Sequence, residues 1–248
     1  MSCTLTNPTT GQSRRVTVAA GGTARLTYHT ATSILIYRLL FGALGSTTDL
    51  RLREVRFERA EILPDGYPDS LGSPDSAVSI ATVQEFFEHR RFASPIHLPA
   101  GEELTLTLEN VGASPITAFL SLDAVAAVDT GDPTRAVRRP LPPRMLAFSA
   151  TIAANSTRAL VSLPVQRDPV QIRSLIASAP ADAVLSLVLN GNALIRDMTA
   201  DQINRAFRHF DYRDLATISS RERVDLEVAT TTGGRVELFG DWLIPTMA

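Results

Sequence analysis

What most limits the folds open to this chain is that its pattern is written twice. "VTVAAGGTARL" (Val16 to Leu26) aligns without gaps with "ATIAANSTRAL" (Ala150 to Leu160), sharing Thr17/Thr151, Ala19/Ala153, Ala20/Ala154, Thr23/Thr157 and Leu26/Leu160. In both segments a small-residue turn separates two runs that alternate apolar and polar residues, the pattern of a β-hairpin. Further on, "LREVRFERAEILPDG" (Leu52 to Gly66) holds the place that "LSLVLNGNALI" (Leu185 to Ile195) holds in the second half. Within the latter, Asn190-Gly191 is a strong tight-turn signal between two extended runs.

A capping-box pattern then precedes an apolar helical stretch in each half: Thr82 with Glu85 ahead of "FFEHRRF", and Thr199 with Gln202 ahead of "INRAFRHF". Ile203, Ala206, Phe207 and Phe210 fall on one helical face, so that helix is expected to dock on a core. Finally "LTLTLENVGASPITAFLSL" (Leu104 to Leu122) aligns with "VDLEVATTTGGRVELFGDW" (Val224 to Trp242), which matches Phe119 with Phe239. Any two β-rich domains carry hairpins and a helix, but blocks that recur in one order favour a true duplication. The segment "DTGDPTRAVRRPLPPR" (129–144), with Pro133, Pro140, Pro142 and Pro143, is unsuited to a central strand and reads as a linker. The expected domains are residues 1–131 and 132–248. Each half offers seven or eight short strands with one short helix inserted late. That predicts an all-β fold of two tandem jelly-roll or β-sandwich domains, not a parallel α/β sheet.

Composition narrows the function classes. A formal net charge of -2 argues against a chain whose main work is coating nucleic acid, which needs a surplus of cations. All 24 basic residues are arginine, so the lysine of a Walker phosphate loop, a Schiff-base lysine and a lysine general base are excluded. Cys3 is the single cysteine, so there is no internal disulfide and no cysteine-rich metal site. The polar start "MSCTLTNPTTGQSRR" lacks a secretory layout, and the run "ILIYRLLFGALG" is broken by Arg38 and falls short of the roughly 20 apolar residues of a spanning helix. A soluble chain without its own membrane anchor is expected.

The duplicated layout, the "LNG" turn ahead of "MTADQINRAF" and the helix followed by final strands resemble the double jelly-roll major capsid proteins of tectivirus-like and corticovirus-like bacteriophages. The resemblance covers nearly the whole chain but is one of layout, not of a diagnostic motif. It implies two jelly rolls side by side, each with a short helix between late strands, and three chains forming a pseudo-hexagonal tile. It further implies a structural virion protein made in the host cytoplasm, with copies of itself and other virion proteins as partners, and no small-molecule substrate. The first half departs from the pattern in its longer loop, "LPDGYPDSLGSPDSAV" (Leu63 to Val78), and both halves lack tower-like insertions. A lean tile and an accessory or decoration protein of a phage both suit that departure. A tandem β-sandwich module that binds carbohydrate or a receptor is the reading from a different class. It predicts exposed aromatic platforms, against one Trp (Trp242) and four Tyr.

Chemistry is sparse. His29, His89, His97 and His209 lie in unrelated segments without metal-ligand spacing, although His89 and His209 hold similar places on the two expected helices. No "GxSxG" elbow occurs, and Cys3 in a polar arm is a poor nucleophile. Asp65, Asp69 and Asp75 do not match an EF-hand loop and read as turn formers, while Glu102 and Glu103 are adjacent at a strand start and point to opposite faces. No catalytic, cofactor or metal residue is assigned, and no enzyme is expected. The candidate interaction residues are Arg14 and Arg15 in an N-terminal arm, Arg135, Arg138, Arg139 and Arg144 in the linker, and Tyr67 in the long loop. The arginines suit a neighbour's carboxylates, an internal membrane surface or packaged nucleic acid.

Overall fold

Strict alternation of Leu with Thr in "LTLTLEN" presents one apolar and one polar face to a pleated strand, and chains with many such segments bury the apolar faces by stacking two sheets. The computed structural model describes residues 14–57, 60–63, 77–92, 95–127, 144–162, 170–209, 216–218, 222 and 224–243. The first half comprises β1 (Arg14–Val18), β2 (Thr23–His29), β3 (Ile34–Leu44), β4 (Leu50–Phe57), β5 (Ala60–Leu63), β6 (Val78–Ser79), helix α1 (Ile80–His89), β7 (Ile96–Leu98), β8 (Glu103–Asn110) and β9 (Ile116–Ala126). The second comprises β10 (Arg144–Ile152), β11 (Ser156–Ser162), β12 (Val170–Ser178), β13 (Val184–Leu189), β14 (Asn192–Met198), helix α2 (Ala200–His209), β15 (Ala216–Ile218), β16 (Val224–Thr230) and β17 (Gly234–Leu243).

The described strands form four antiparallel sheets, ordered β1-β9-β3-β7 and β2-β8-β4-β5 in the first half, β10-β17-β12-β15 and β11-β16-β13-β14 in the second. Apart from the two-residue β6, which pairs with β4, each half has the same eight-strand connectivity, and it is that of a jelly roll. The chain is therefore a tandem jelly-roll sandwich. Burial alternates along β8 and β16 as the sequence alternates, with Leu104, Leu106 and Leu108 inside one sandwich and Val224, Leu226 and Val228 inside the other. Each such side chain contributes about 1.5–3 kcal/mol by leaving water.

The repeat is preserved down to its turns. Gly21 and Asn155, matched in the sequence, both take positive φ, 63° and 58°. Asn190 and Gly191 do so together, at 47° and 86°, which makes the tight hairpin turn between β13 and β14. The capping box of α2 is present: the Thr199 amide donates to Gln202 Oε1 at 2.8 Å and the Gln202 amide to Thr199 Oγ1 at 3.2 Å. Ile203 and Phe207 are buried in the second core as expected, whereas Phe210 lies outside the described residues.

Four expectations need correction. The cap of α1 is Ser79, whose hydroxyl accepts from the Thr82 amide at 3.3 Å, so Thr82 lies inside the helix and does not begin a box with Glu85. Arg14 and Arg15 belong to no free arm. They open β1, in register with Leu120 and Phe119 of β9, because the alternating run extends to them. Arg144 is the first residue of β10, opposite Trp242, so it is strand and not linker. The proposed boundary near Gly131, Arg135, Arg138 and Arg139 lie outside the described residues, as do Tyr67 and the Asp65, Asp69 and Asp75 loop.

The fourth correction concerns Phe119 and Phe239. The turn before β9 spans 111–115, but the turn before β17 spans only 231–233, so the gapless alignment slips by two residues between the turns and these final strands. The β-bulges fix the true correspondence. In the first sandwich the register shifts between Ile36 and Arg38, with Arg38 opposite Asp123. In the second it shifts between Ile172 and Ser174, with Ser174 opposite Asp241. Asp123 thus matches Asp241, Ser121 matches Phe239 and Phe119 matches Glu237. In agreement, the Gln84 side chain of α1 donates to Phe41 O at 2.8 Å and Asn204 of α2 donates to Ala177 O at 3.0 Å, at corresponding places on β3 and β12.

Candidate functional site

A strand of an isolated sandwich buries one face and wets the other, yet β17 is buried on both. Val236 and Leu238 fill the second core, while Glu237, Phe239 and Asp241 point the other way and are also buried. Met145, Ala147, Ile176 and Phe239, all on this outer face, belong to the core of the first sandwich. What covers the face is α1. Phe86 meets Phe239 edge-on with centroids 5.2 Å apart, and Phe87 packs against Phe86 at 5.0 Å and Phe92 at 4.9 Å. Edge-to-face pairs of this kind add about 0.5–1.5 kcal/mol each beyond the area they bury. α1 supplies these rings on one face because Ile80, Val83, Phe86 and Phe87 recur at helical spacing.

Polar groups complete the junction. The Glu237 carboxylate, 3% exposed, accepts from Ser79 Oγ at 2.6 Å, the Ser79 amide at 3.1 Å, Thr82 Oγ1 at 2.6 Å and Arg235 Nε at 2.7 Å. Arg235 Nη2 also donates to Ala77 O at 2.9 Å and Ser149 Oγ at 2.6 Å, and the Ser149 hydroxyl donates to Ala77 O at 2.9 Å. Burial would raise the Glu237 carboxyl, but the donors Ser79, Thr82 and Arg235 outweigh it and hold the group below the ordinary carboxylate range. The second sandwich therefore lends a carboxylate to the helix N-terminus of the first, satisfying the Ser79 amide, which the helix itself leaves unpaired.

A second carboxylate staples the far hairpin. Asp182, between β12 and β13, accepts from the hydroxyl and amide of Thr231, both at 2.6 Å, and from those of Thr232 at 2.6 and 3.0 Å. Thr230 Oγ1 adds a contact at 3.1 Å. The Thr231 and Thr232 hydroxyls hold this carboxyl far below its usual range.

Of the candidate interaction residues, Arg14 and Arg15 are exposed at the start of β1. His29 faces Glu103 across β2 and β8 at 3.6 Å, and α1 and α2 end on His89 and His209 as the repeat predicts. Sequence reading passed over one grouping: Glu85, Glu88 and His89 of α1 hold ligand-type atoms within 4.8 Å of one another. They follow from helical i, i+3, i+4 spacing, and such exposed acidic groups are common without an ion. Glu237 and Ser79 also went unread, since nothing local marks a carboxylate as the partner of a distant helix. Among the described residues no helix is long and apolar enough to cross a membrane.

No protein-family model matches the chain, and no curated protein matches its sequence. Among solved structures the chain is similar to the major capsid protein P2 from bacteriophage PM2, at 9% identity and a TM-score of 0.42, over 92% of this chain and 96% of that one.

Proposed function

We propose that this chain is a non-enzymatic capsid protein that forms homotrimers and tiles an icosahedral virion shell. The observation that carries the reading is the junction of α1 with β10, β17 and β12. Aromatic packing and a buried carboxylate network join two sandwiches of one topology into a single building block. Such a block suits a structural wall better than a catalyst, because the buried polar groups at its junction are engaged in joining the halves. Two like sandwiches per chain give three copies six similar corners, which fits a nearly hexagonal lattice. Its partners are copies of itself and other virion proteins, with no small-molecule substrate, and the domains are 1–131 and 132–248. After synthesis in the host cytoplasm its place is the virion.

Light scattering of the purified protein across concentration, followed by electron microscopy of the large species, tests the reading. A trimer that grows into flat or closed pseudo-hexagonal assemblies is expected. A monodisperse monomer at every concentration overturns it.

A further inference from the structure

The outer face of the first sandwich is the counterpart of the face that α1 covers on the second, and among the described residues it stands open. Ile176, beneath α1, is 5% exposed; its counterpart by bulge register, Leu40, is 41% exposed. Leu44, farther along the same face of β3, is also exposed. Among the described residues, helix α2, the counterpart of α1, in turn has no third sandwich to sit on.

We propose that α2 of one copy seats on the outer face of β1, β9 and β3 of the next, so that the contact between chains repeats the junction within the chain. This rests on the trimer reading above and names the surfaces that build it. The side chains on the two open surfaces match each other, and they differ from the internal junction in a compensating way. Phe86 and Phe239 are two large rings in contact; their counterparts are Ala206 and Ser121, two small side chains. Glu237 serves the cap of α1, whereas its counterpart Phe119 would face the cap of α2, which Gln202 already closes and which needs no borrowed carboxylate. Within the chain the Ser149 hydroxyl meets Ala77 O, two residues ahead of the Ser79 cap. The counterpart of Ser149 is Arg15, and the counterpart of Ala77 is Asp197, two residues ahead of Thr199, and both are exposed. A hydroxyl-to-carbonyl contact inside the chain thus becomes a guanidinium–carboxylate pair between chains, with charges that complement each other.

Crosslinking tests the placement. In a Cys3→Ser background, Ser121→Cys with Ala206→Cys is treated with a short-spacer bismaleimide and run on a denaturing gel, beside each single-cysteine variant. The expected result is linked dimers and trimers from the double variant alone. A protein that is trimeric by light scattering but yields no linked species overturns this inference and leaves the trimer reading standing. A wild-type protein that is monomeric throughout overturns both. As a second measurement, Leu40→Asp and Arg15→Glu, both at exposed positions, should each raise the concentration needed for trimer by about tenfold or more while the melting of the monomer is unchanged. An unchanged transition concentration in both variants counts against the seat.

Discussion

Ser79 and Glu237 stand 158 residues apart in the chain, yet the serine hydroxyl donates to the carboxylate at 2.6 Å in a buried site. The helix cap of one sandwich is therefore finished by a strand of the other. Removing the carboxylate leaves Arg235 and the cap donors without their shared acceptor. Glu237→Ala should lower the unfolding free energy by about 3–5 kcal/mol, read from urea denaturation. Ser79→Ala should cost more than the roughly 1 kcal/mol typical of a cap, and the double variant should fall short of the sum of the singles.

The same carboxylate sets an acid limit. Its folded pKa lies below the ordinary value of 4.5, so its contribution is fully present above 4.5 and is lost as pH falls through the depressed value. The difference in stability between wild type and Glu237→Gln should be constant from neutral pH down to about 5 and should shrink below that. Denaturant midpoints across the acid range check it, and a difference that grew on acidification would contradict the sign.

Asp182 organises a turn locally. With Asp182→Ala, the amides of Thr231 and Thr232 lose their acceptor, and their hydrogen exchange should quicken by at least about tenfold, with little change in the centre of β16. Uniform acceleration along the strand would show that the carboxylate supports the whole sandwich and not the turn alone.

Gly240 lies where the bulge of β12 presses closest on β17. A Cβ there would overlap the Ser174 carbonyl oxygen and come within 2.8 Å of Leu175 Cδ2. Gly240→Ala should destabilise by about 3 kcal/mol or more, because a backbone carbonyl held in a ladder cannot step aside. The corresponding position in the first sandwich is Leu122, so the constraint belongs to the second bulge and not to the repeat. Thermal melting beside wild type is the check.

Local order was readable where its causes are local. The alternation in "LTLTLEN", the Asn190-Gly191 turn and the Thr199–Gln202 box each appear in place, since pleat, positive φ and capping depend on neighbours in the chain. The match of Phe119 with Phe239 failed because a turn shortened by two residues leaves no trace in a gapless comparison, whereas bulges opposite Asp123 and Asp241 reveal the slip at once. The cap of α1 was misplaced for a related reason. Thr82 resembles a box opener, but its hydroxyl is committed to Glu237, and a partner so distant is invisible to any window along the sequence.

That distance has a consequence in time. Ribosomes add about 5–20 residues per second, so roughly 10–30 s separate the synthesis of Ser79 from that of Glu237. Through that interval the nascent first sandwich carries Phe86 on a helix whose cap lacks its carboxylate partner and whose cover is still unmade. β17 is central in its sheet, between β10 and β12, so the covering face is assembled only once nearly all of the described chain has been translated. The sandwich made first is the one that must wait, and β17 is the strand that ends its exposure to chaperones and to other nascent copies.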